Sequence, residues 1–125
     1  MSTYAGTHSP NAYRASSVLT ATRGQLVVML YDGATRFLSQ ASVAMGQQEV
    51  AAAHNKLTRA ENIIRHLRNT LDLEQGQIAE RLQSIYTFAL AHLRQARLDQ
   101  SQHKVDEVNE LLGKLRESWA AIAAE

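Results

Sequence analysis

Histidines and carboxylates are the residues of this chain whose side chains could bind a metal or transfer a proton. Di-iron helical bundles use a glutamate followed three positions later by a histidine, and no glutamate of the 125-residue sequence has such a partner. The sequence has no cysteine and no glycine-rich phosphate loop, and its histidines are scattered over separate segments. They are His8, His54, His66, His92 and His103. These residue types favour neither a metal site nor a catalytic one, so we expect no cofactor and no enzyme activity.

His54 has one alternative interpretation, in the segment "AHNKLTRA" of residues 53–60. Histidine phosphotransfer domains are also small helical bundles, and they carry one exposed histidine near a lysine, here Lys56. A small residue that leaves room for the phosphoryl group usually follows in those domains, and it is missing from this segment. Phosphotransfer through His54 remains an alternative function.

The charge pattern bears on which partners the chain could bind. Thirteen basic and twelve acidic residues give a net charge of +1, so no overall field attracts nucleic acid or anionic lipid. The basic residues of the segment 56–68 are interrupted by Glu61, and a solvated helix face explains them better than a nucleic-acid patch. They are Lys56, Arg59, Arg65 and Arg68. We therefore expect recognition through shape and apolar surface, with no nucleic acid among the partners.

The apolar runs predict a cytoplasmic protein that does not insert into a membrane. Residues 26–31 form the longest purely apolar run, far short of the roughly 20 residues that span a bilayer. The first residues are polar and do not resemble a signal peptide. The absence of cysteine fits a reducing compartment.

Apolar residues recur at spacings of three and four along most of the chain, which is typical of amphipathic helices. The clearest series runs from Val50 through Leu57 and Ile64 to Leu71, and two further series cover residues 78–96 and 105–122. Short polar connections of the kind that join antiparallel neighbours separate them. The pattern predicts an all-α fold, an antiparallel four-helix bundle with helices at about 22–45, 48–71, 77–98 and 102–124.

The stretch "LVVMLYDGATRFL", residues 26–38, allows two interpretations. Asp32 and Gly33 between apolar residues are a signal for a tight hairpin turn. Leu26, Leu30, Gly33 and Phe37 nevertheless continue the helical spacing through the glycine, and Thr22 with Gln25 forms a capping box at the start. We predict a helix that ends near Gly46. Because an interior glycine costs about 1 kcal/mol relative to alanine, we expect another backbone to approach Gly33 closely.

Residues 1–21 show no period and are predicted to form an extended, mobile arm. Tyr13, Val18 and Leu19 are its apolar groups nearest the first helix. Burial of each would contribute roughly 1.5 to 3 kcal/mol, while ordering about ten residues costs at least ~1 kcal/mol apiece. Docking of this arm on the bundle would be marginal and easily displaced.

Several apolar residues lie beside the main stripes and widen the apolar faces of the helices. A broad core explains most of them, and a groove for a partner helix or a self-associating bundle, such as a homodimer, are the functional interpretations. Ile63, Leu90 and Leu111 are predicted to lie at the margin between core and solvent. The whole set is Val27, Tyr31, Leu38, Ile63, Tyr86, Leu90 and Leu111.

The segment "NAYRASSVLTATRGQLVVMLYDGATRFLSQA", residues 11–41, closely resembles the amino-terminal signature of the FliS family of flagellar secretion chaperones. That signature runs from a tyrosine-bearing arm into a capped helix containing Leu-Tyr-Asp-Gly. The similarity continues through "KLTRAENIIRHLRNTLD", "LQSIYTFALAHLRQA" and "VDEVNELLGKLRESW". One departure is that Thr22 and Arg23 stand where the family commonly has serine and proline.

The resemblance implies a cytoplasmic chaperone that is not an enzyme. Such a chaperone binds the carboxy-terminal segment of flagellin, keeps it from polymerising early and helps deliver it to the flagellar type III export gate. It also implies that the arm covers the groove in the free protein, with Tyr13, Val18 and Leu19 as lid residues. Leu30, Tyr31, Gly33 and Phe37 would then mark the helix beneath or beside the lid.

Overall fold

The structure is a computed structural model that describes residues 22–123, with side chains through Ala121. Within these residues four α-helices follow one another, and a short 3-10 helix, Leu73–Gln75, connects the second to the third. The helices are α1 (Arg23–Gly46), α2 (Val50–Asn69), α3 (Gln77–Asp99) and α4 (Gln102–Ala123). The predicted arm, residues 1–21, lies outside the described residues.

The first helix begins at the predicted capping box and continues through Gly33. The Thr22 hydroxyl accepts a hydrogen bond from the backbone amide of Gln25, and the Gln25 side chain accepts one from the amide of Thr22. Each contact satisfies an amide that the first helical turn leaves free. Asp32 and Gly33 are helical, so the helix interpretation is confirmed and the hairpin is excluded.

Each helix packs against its neighbours in the chain, and α4 also packs against α1. The contacts between α1 and α4 run in opposite directions along the two helices. Ser39 meets Asn109, and seven residues earlier on α1, Asp32 meets Arg116, seven residues later on α4. The α3 and α4 helices show the same reversal, because His92 contacts Glu107 and Asp99 contacts Lys104. The predicted antiparallel four-helix bundle is confirmed.

The core corrects the expected inward stripe of α1. Tyr31 and Leu38, predicted to lie beside the main stripe, are fully buried, whereas Leu30, Gly33 and Phe37 are only half-buried. The reason is that α1 packs on both α2 and α4, so the centre of its buried arc lies between these two neighbours. The large Tyr31 ring fills that centre.

Tyr31 and Tyr86 form a polar pair inside the apolar core. Their hydroxyls hydrogen-bond each other across the bundle, and the rings are tilted with centroids 6.5 Å apart. Burial raises the pKa of both phenols, so both stay protonated and either can donate to the other. Because each hydroxyl is satisfied by the other, neither residue is an unpaired polar group in the core.

The predicted apolar stripes of α2 and α3 each begin with an exposed residue. Val50 and Ile78 stand in the first turns of α2 and α3, and both are exposed. Further along α2, four members of the same series are fully buried, namely Ala53, Leu57, Ala60 and Ile64. On α2 and α3, amphipathic spacing therefore identified the middle of the helix better than its first turn.

Candidate functional site

One side of the bundle, formed by α1 and α2, carries most of the described site residues that the sequence suggested. We call it the α1–α2 face and define it by Leu30, Gly33, Phe37 and Ile63, all half-buried. A Cβ atom at Gly33 would lie 3.3 Å from Cδ1 of Ile63. Within this chain the close contact at Gly33 is therefore made by a side chain and not by another backbone.

Phe37 is surrounded by cations. The guanidinium carbons of Arg36 and Arg59 and the Nζ atom of Lys56 each lie 5.7 Å from the centre of its ring. Such placement allows cation–π attraction. We call Arg36, Lys56 and Arg59 the cation cluster. Among the residues whose side chains are described, no carboxylate forms an ion pair with any of the three.

The α1–α2 face continues towards the connection between its two helices. A shallow concavity of about 370 Å³ lies there, and Lys56 belongs both to its lining and to the cation cluster. Val43 lines the same concavity with 57% of its surface exposed. The other lining residues are Ser39, Gln40, Ala44, Gln47, Glu49 and Ala52.

The opposite side of α2 holds its charges in a closed network at the seam with α3. The Arg97 guanidinium donates to both carboxylate oxygens of Glu61, at 3.0 and 2.6 Å. It also donates through Nε to Nδ1 of His54 at 3.0 Å. Hydrogen bonding to Glu61 raises the pKa of Arg97, and Glu61 is 5% exposed. This network, which we call the α2–α3 seam, joins two helices. Its charged groups are paired with one another and leave few hydrogen-bonding groups for a partner.

The same network bears on the phosphotransfer alternative. Because Nδ1 of His54 accepts a hydrogen bond from Nε–H of Arg97, the neutral imidazole carries its own proton on Nε2. An Nε2 atom that bears a proton has no free lone pair to attack a phosphoryl group. The geometry gives no support to His54 as a phosphoryl acceptor. Within the described residues, no three histidine or carboxylate groups are placed to hold a metal ion.

The three residues predicted to lie at the margin do not share one surface. Ile63 lies on the α1–α2 face, whereas Leu90 is only 6% exposed and belongs to the core, so the margin prediction was wrong for Leu90. Arg97, seven residues further along α3, contacts Glu61 of α2, and because seven residues are nearly two helical turns, Leu90 lies on the same side of α3. Leu111 is half-buried on α4.

A second apolar area lies where α3 meets α4, and sequence reasoning missed its most exposed member. Phe88 is 55% exposed and stacks on the His92 ring with centroids 5.1 Å apart. His92 contacts Glu107, and this antiparallel register places Phe88 beside Leu111. Hydrogen bonding to His92 lowers the pKa of Glu107.

The structure assembles four of the ten sequence-predicted residues on one face. Tyr31 lies in the core and has no surface that a partner could touch in this conformation. Tyr13, Val18 and Leu19 lie outside the described residues. The cation cluster was missed, because Lys56 and Arg59 were interpreted as a solvated helix face. A signal was available: Phe37 and Arg59 stand equally far from Gln48 in the connection, so an antiparallel pair of helices must bring them together.

No helix within residues 22–123 is long and apolar enough to cross a bilayer. The four helices with their short connections occur in many unrelated proteins, so the bundle alone does not identify a function.

Comparison with known proteins supplies the missing identity. The family model described as "Flagellar protein FliS" matches residues 6–125. The flagellar secretion chaperone FliS of Salmonella typhimurium is 36% identical over 110 residues, covering 86% of this chain and 82% of that protein. The proteins of the same name from Escherichia coli and Bacillus subtilis are 33% and 30% identical, covering 83% and 86% of this chain and 78% and 80% of their own lengths. The chain belongs to the FliS family of flagellar secretion chaperones.

Proposed function

We propose that this protein acts in the cytoplasm as a chaperone for flagellin. It binds the carboxy-terminal segment of flagellin, prevents premature polymerisation and assists delivery to a component of the flagellar type III export gate. The observation that supports this most directly is the match to flagellar secretion chaperones over nearly the whole chain.

The α1–α2 face is the surface that we assign to the flagellin segment. Its half-buried apolar groups, Leu30, Phe37 and Ile63, leave an apolar strip open between two helices. An amphipathic helix binds such a strip through anchors at helical spacing. A flagellin segment that becomes helical in the filament would expose an apolar stripe before assembly, and this face would cover it.

The amino-terminal residues are the proposed lid of this face. Tyr13, Val18 and Leu19 would cover the strip weakly in the free protein and leave it when flagellin binds. A weak lid is suitable because a cover that docks tightly would lower the apparent affinity for the partner.

Co-purification with flagellin tests the proposal. Full-length flagellin should be captured, and flagellin lacking its carboxy-terminal segment should not. The two phenylalanines of the chain provide a matched pair of variants. Phe37→Ala should weaken capture, whereas Phe88→Ala, on the α3–α4 edge, should not. Equal capture of both flagellins would contradict the proposal, and so would a protein that only self-associates as its concentration rises.

A further inference from the structure

The cation cluster gathers three cations around one aromatic ring, and no carboxylate among the described residues forms an ion pair with any of them. Four cations of the described residues form ion pairs with carboxylates, namely Arg97 with Glu61, Lys104 with Asp99, Lys114 with Glu110 and Arg116 with Asp32. The nearly neutral composition of the chain therefore conceals a local excess of positive charge around Phe37.

The geometry brings these like charges close to one another. Each member of the cluster lies 5.7 Å from the same ring centre, so any two lie within about twice that distance. This separation is comparable to the Debye length of about 8 Å at physiological salt, and the like charges repel one another. Phe37 offsets part of this repulsion through its π face. An anion placed over the cluster would relieve the rest.

We propose that the cation cluster recognises carboxylates on an amphipathic helix that binds the α1–α2 face. The apolar anchor of that helix contacts Phe37 and Ile63, and its acidic side chains, about one turn away, pair with Arg36, Lys56 and Arg59. This inference rests on the proposed function, because the helix belongs to the carboxy-terminal segment of flagellin.

The shape of the face favours a helix as the occupant. At Gly33 the terminal methyl of Ile63 lies 3.3 Å from the position that a Cβ would take, so the two helices share one continuous apolar surface at this point. Apolar and small residues extend on α1 from Leu30 to Val43, a length of about 20 Å at 1.5 Å per residue. About 13 residues of a bound helix would cover it. A nucleic acid would pair with the cations but would leave the apolar strip at Gly33 and Ile63 uncovered.

Binding to flagellin from the same organism, measured at low and high salt, tests the proposal. The full-length variant Arg36→Glu/Arg59→Glu reverses two charges of the cluster at exposed positions. Arg65→Glu/Arg94→Glu makes the same change of net charge at exposed positions on α2 and α3 and is the matched control. Far-ultraviolet circular dichroism establishes that both variants keep the helical content of the parent.

We expect the cluster variant to lose about tenfold or more in affinity at low salt, with a slower association rate, and the control to lose much less. The difference between them should shrink at high salt, where surface charges are screened. Replacing acidic residues of the bound flagellin segment with lysine should restore binding by the cluster variant and weaken binding by the parent.

The outcomes separate the two proposals. A parent protein that binds flagellin while both double variants bind it equally well would overturn the role of the cluster and leave the chaperone function standing. A parent that does not bind flagellin would overturn both. Tight binding of a DNA duplex by the parent, lost in the cluster variant, would assign the cluster to nucleic acid and would also overturn the inference.

Discussion

The two sides of α2 use similar residues for opposite purposes. On the side towards α3, Arg97 finds a bidentate carboxylate, and the network with Glu61 is largely buried. On the side towards α1, Lys56 and Arg59 surround an aromatic ring, and among the described residues no carboxylate pairs with them. The first arrangement is satisfied within the chain, and for the second we propose that a partner supplies the anion.

This difference shows how stability and binding can be assigned to separate faces of one helix. Removing one partner of a buried ion pair leaves the other charge without compensation, which is strongly destabilising. Removing an exposed cation from a cluster of like charges relieves repulsion and costs little. Substitutions at the α2–α3 seam should therefore change the free energy of unfolding, and substitutions on the α1–α2 face should change affinity.

The largest effect is expected for Arg97→Met, which leaves the buried Glu61 carboxylate without its cation. We expect a loss of about 3 kcal/mol in the free energy of unfolding, measured by urea denaturation. This lies at the low end of the usual range because the Arg97 side chain is still 23% exposed. Arg59→Met is the matched control on the other face of α2 and should change stability by less than about 0.5 kcal/mol.

A double variant shows whether the seam acts as an ion pair or through packing. Glu61→Leu/Arg97→Met removes both charges, so no uncompensated carboxylate remains, and its stability should return close to that of the parent. If Arg97→Met and Arg59→Met were equally stable, the contrast between the two faces of α2 would not exist.

The next largest effect is expected when one core residue, Leu90, is compared with one residue of the α1–α2 face, Ile63. Leu90→Ala should cost about 2 to 3 kcal/mol, because truncation of a buried leucine leaves a cavity, and it should leave flagellin affinity nearly unchanged. Ile63→Ala should cost less stability because Ile63 is half-buried. It should weaken flagellin binding by about 1 kcal/mol or more, as truncation of an anchor does.

Urea denaturation and a binding titration on the same two proteins provide the comparison. The opposite pattern, with Ile63→Ala unfolding easily and binding normally, would return Ile63 to the core and remove it from the site.

Much of the fold was predictable because helical spacing records burial directly. On α2, Leu57, Ile64 and their neighbours at intervals of three and four are the residues that lie inside. The centre of the α1 stripe was not predictable, because Leu30 and Tyr31 are adjacent in sequence and differ by only about 100° around the helix. Which of them points inward depends on where α2 and α4 pack.

The candidate site was partly accessible from the sequence. Gly33 and Ile63 stand equally far from Gln48, so a hairpin of two helices places them side by side, as the structure shows. The separation of Leu90 from Leu111 could not be predicted in this way. It depends on which face of α3 packs against α2 and which packs against α4. Apolar spacing does not distinguish these two faces.

A smaller effect is expected at Gly33, where helix propensity and close contact oppose each other. Gly33→Ala should stabilise the bundle by up to about 1 kcal/mol, because alanine has the higher helix propensity. The added Cβ meets only the terminal methyl of Ile63, which can rotate away. Gly33→Leu should cost about 1 kcal/mol through overpacking, and its side chain should also obstruct the α1–α2 face. Thermal denaturation and flagellin titration of both variants check this. A leucine variant as stable as the alanine variant would show that the contact at Gly33 leaves ample room.

The smallest change in stability is expected from deletion of residues 1–19, which removes Tyr13, Val18 and Leu19 but keeps the capping box at Thr22. Neither the α2–α3 seam nor the core loses a residue. The free energy of unfolding should therefore stay within about 0.5 kcal/mol of that of the parent. If these residues compete weakly with flagellin for the α1–α2 face, their removal frees the face and flagellin should associate faster. Stopped-flow fluorescence of a labelled flagellin measures this rate. Binding and secretion of flagellin are measured separately, because a contact of these residues with the export gate would lower secretion on deletion without lowering binding. Slower association with an unchanged free energy of unfolding would show that residues 1–19 form part of the binding site instead of covering it. The contrast would then lie between an α2–α3 seam that is complete within the bundle and an α1–α2 face that the amino-terminal residues help to form.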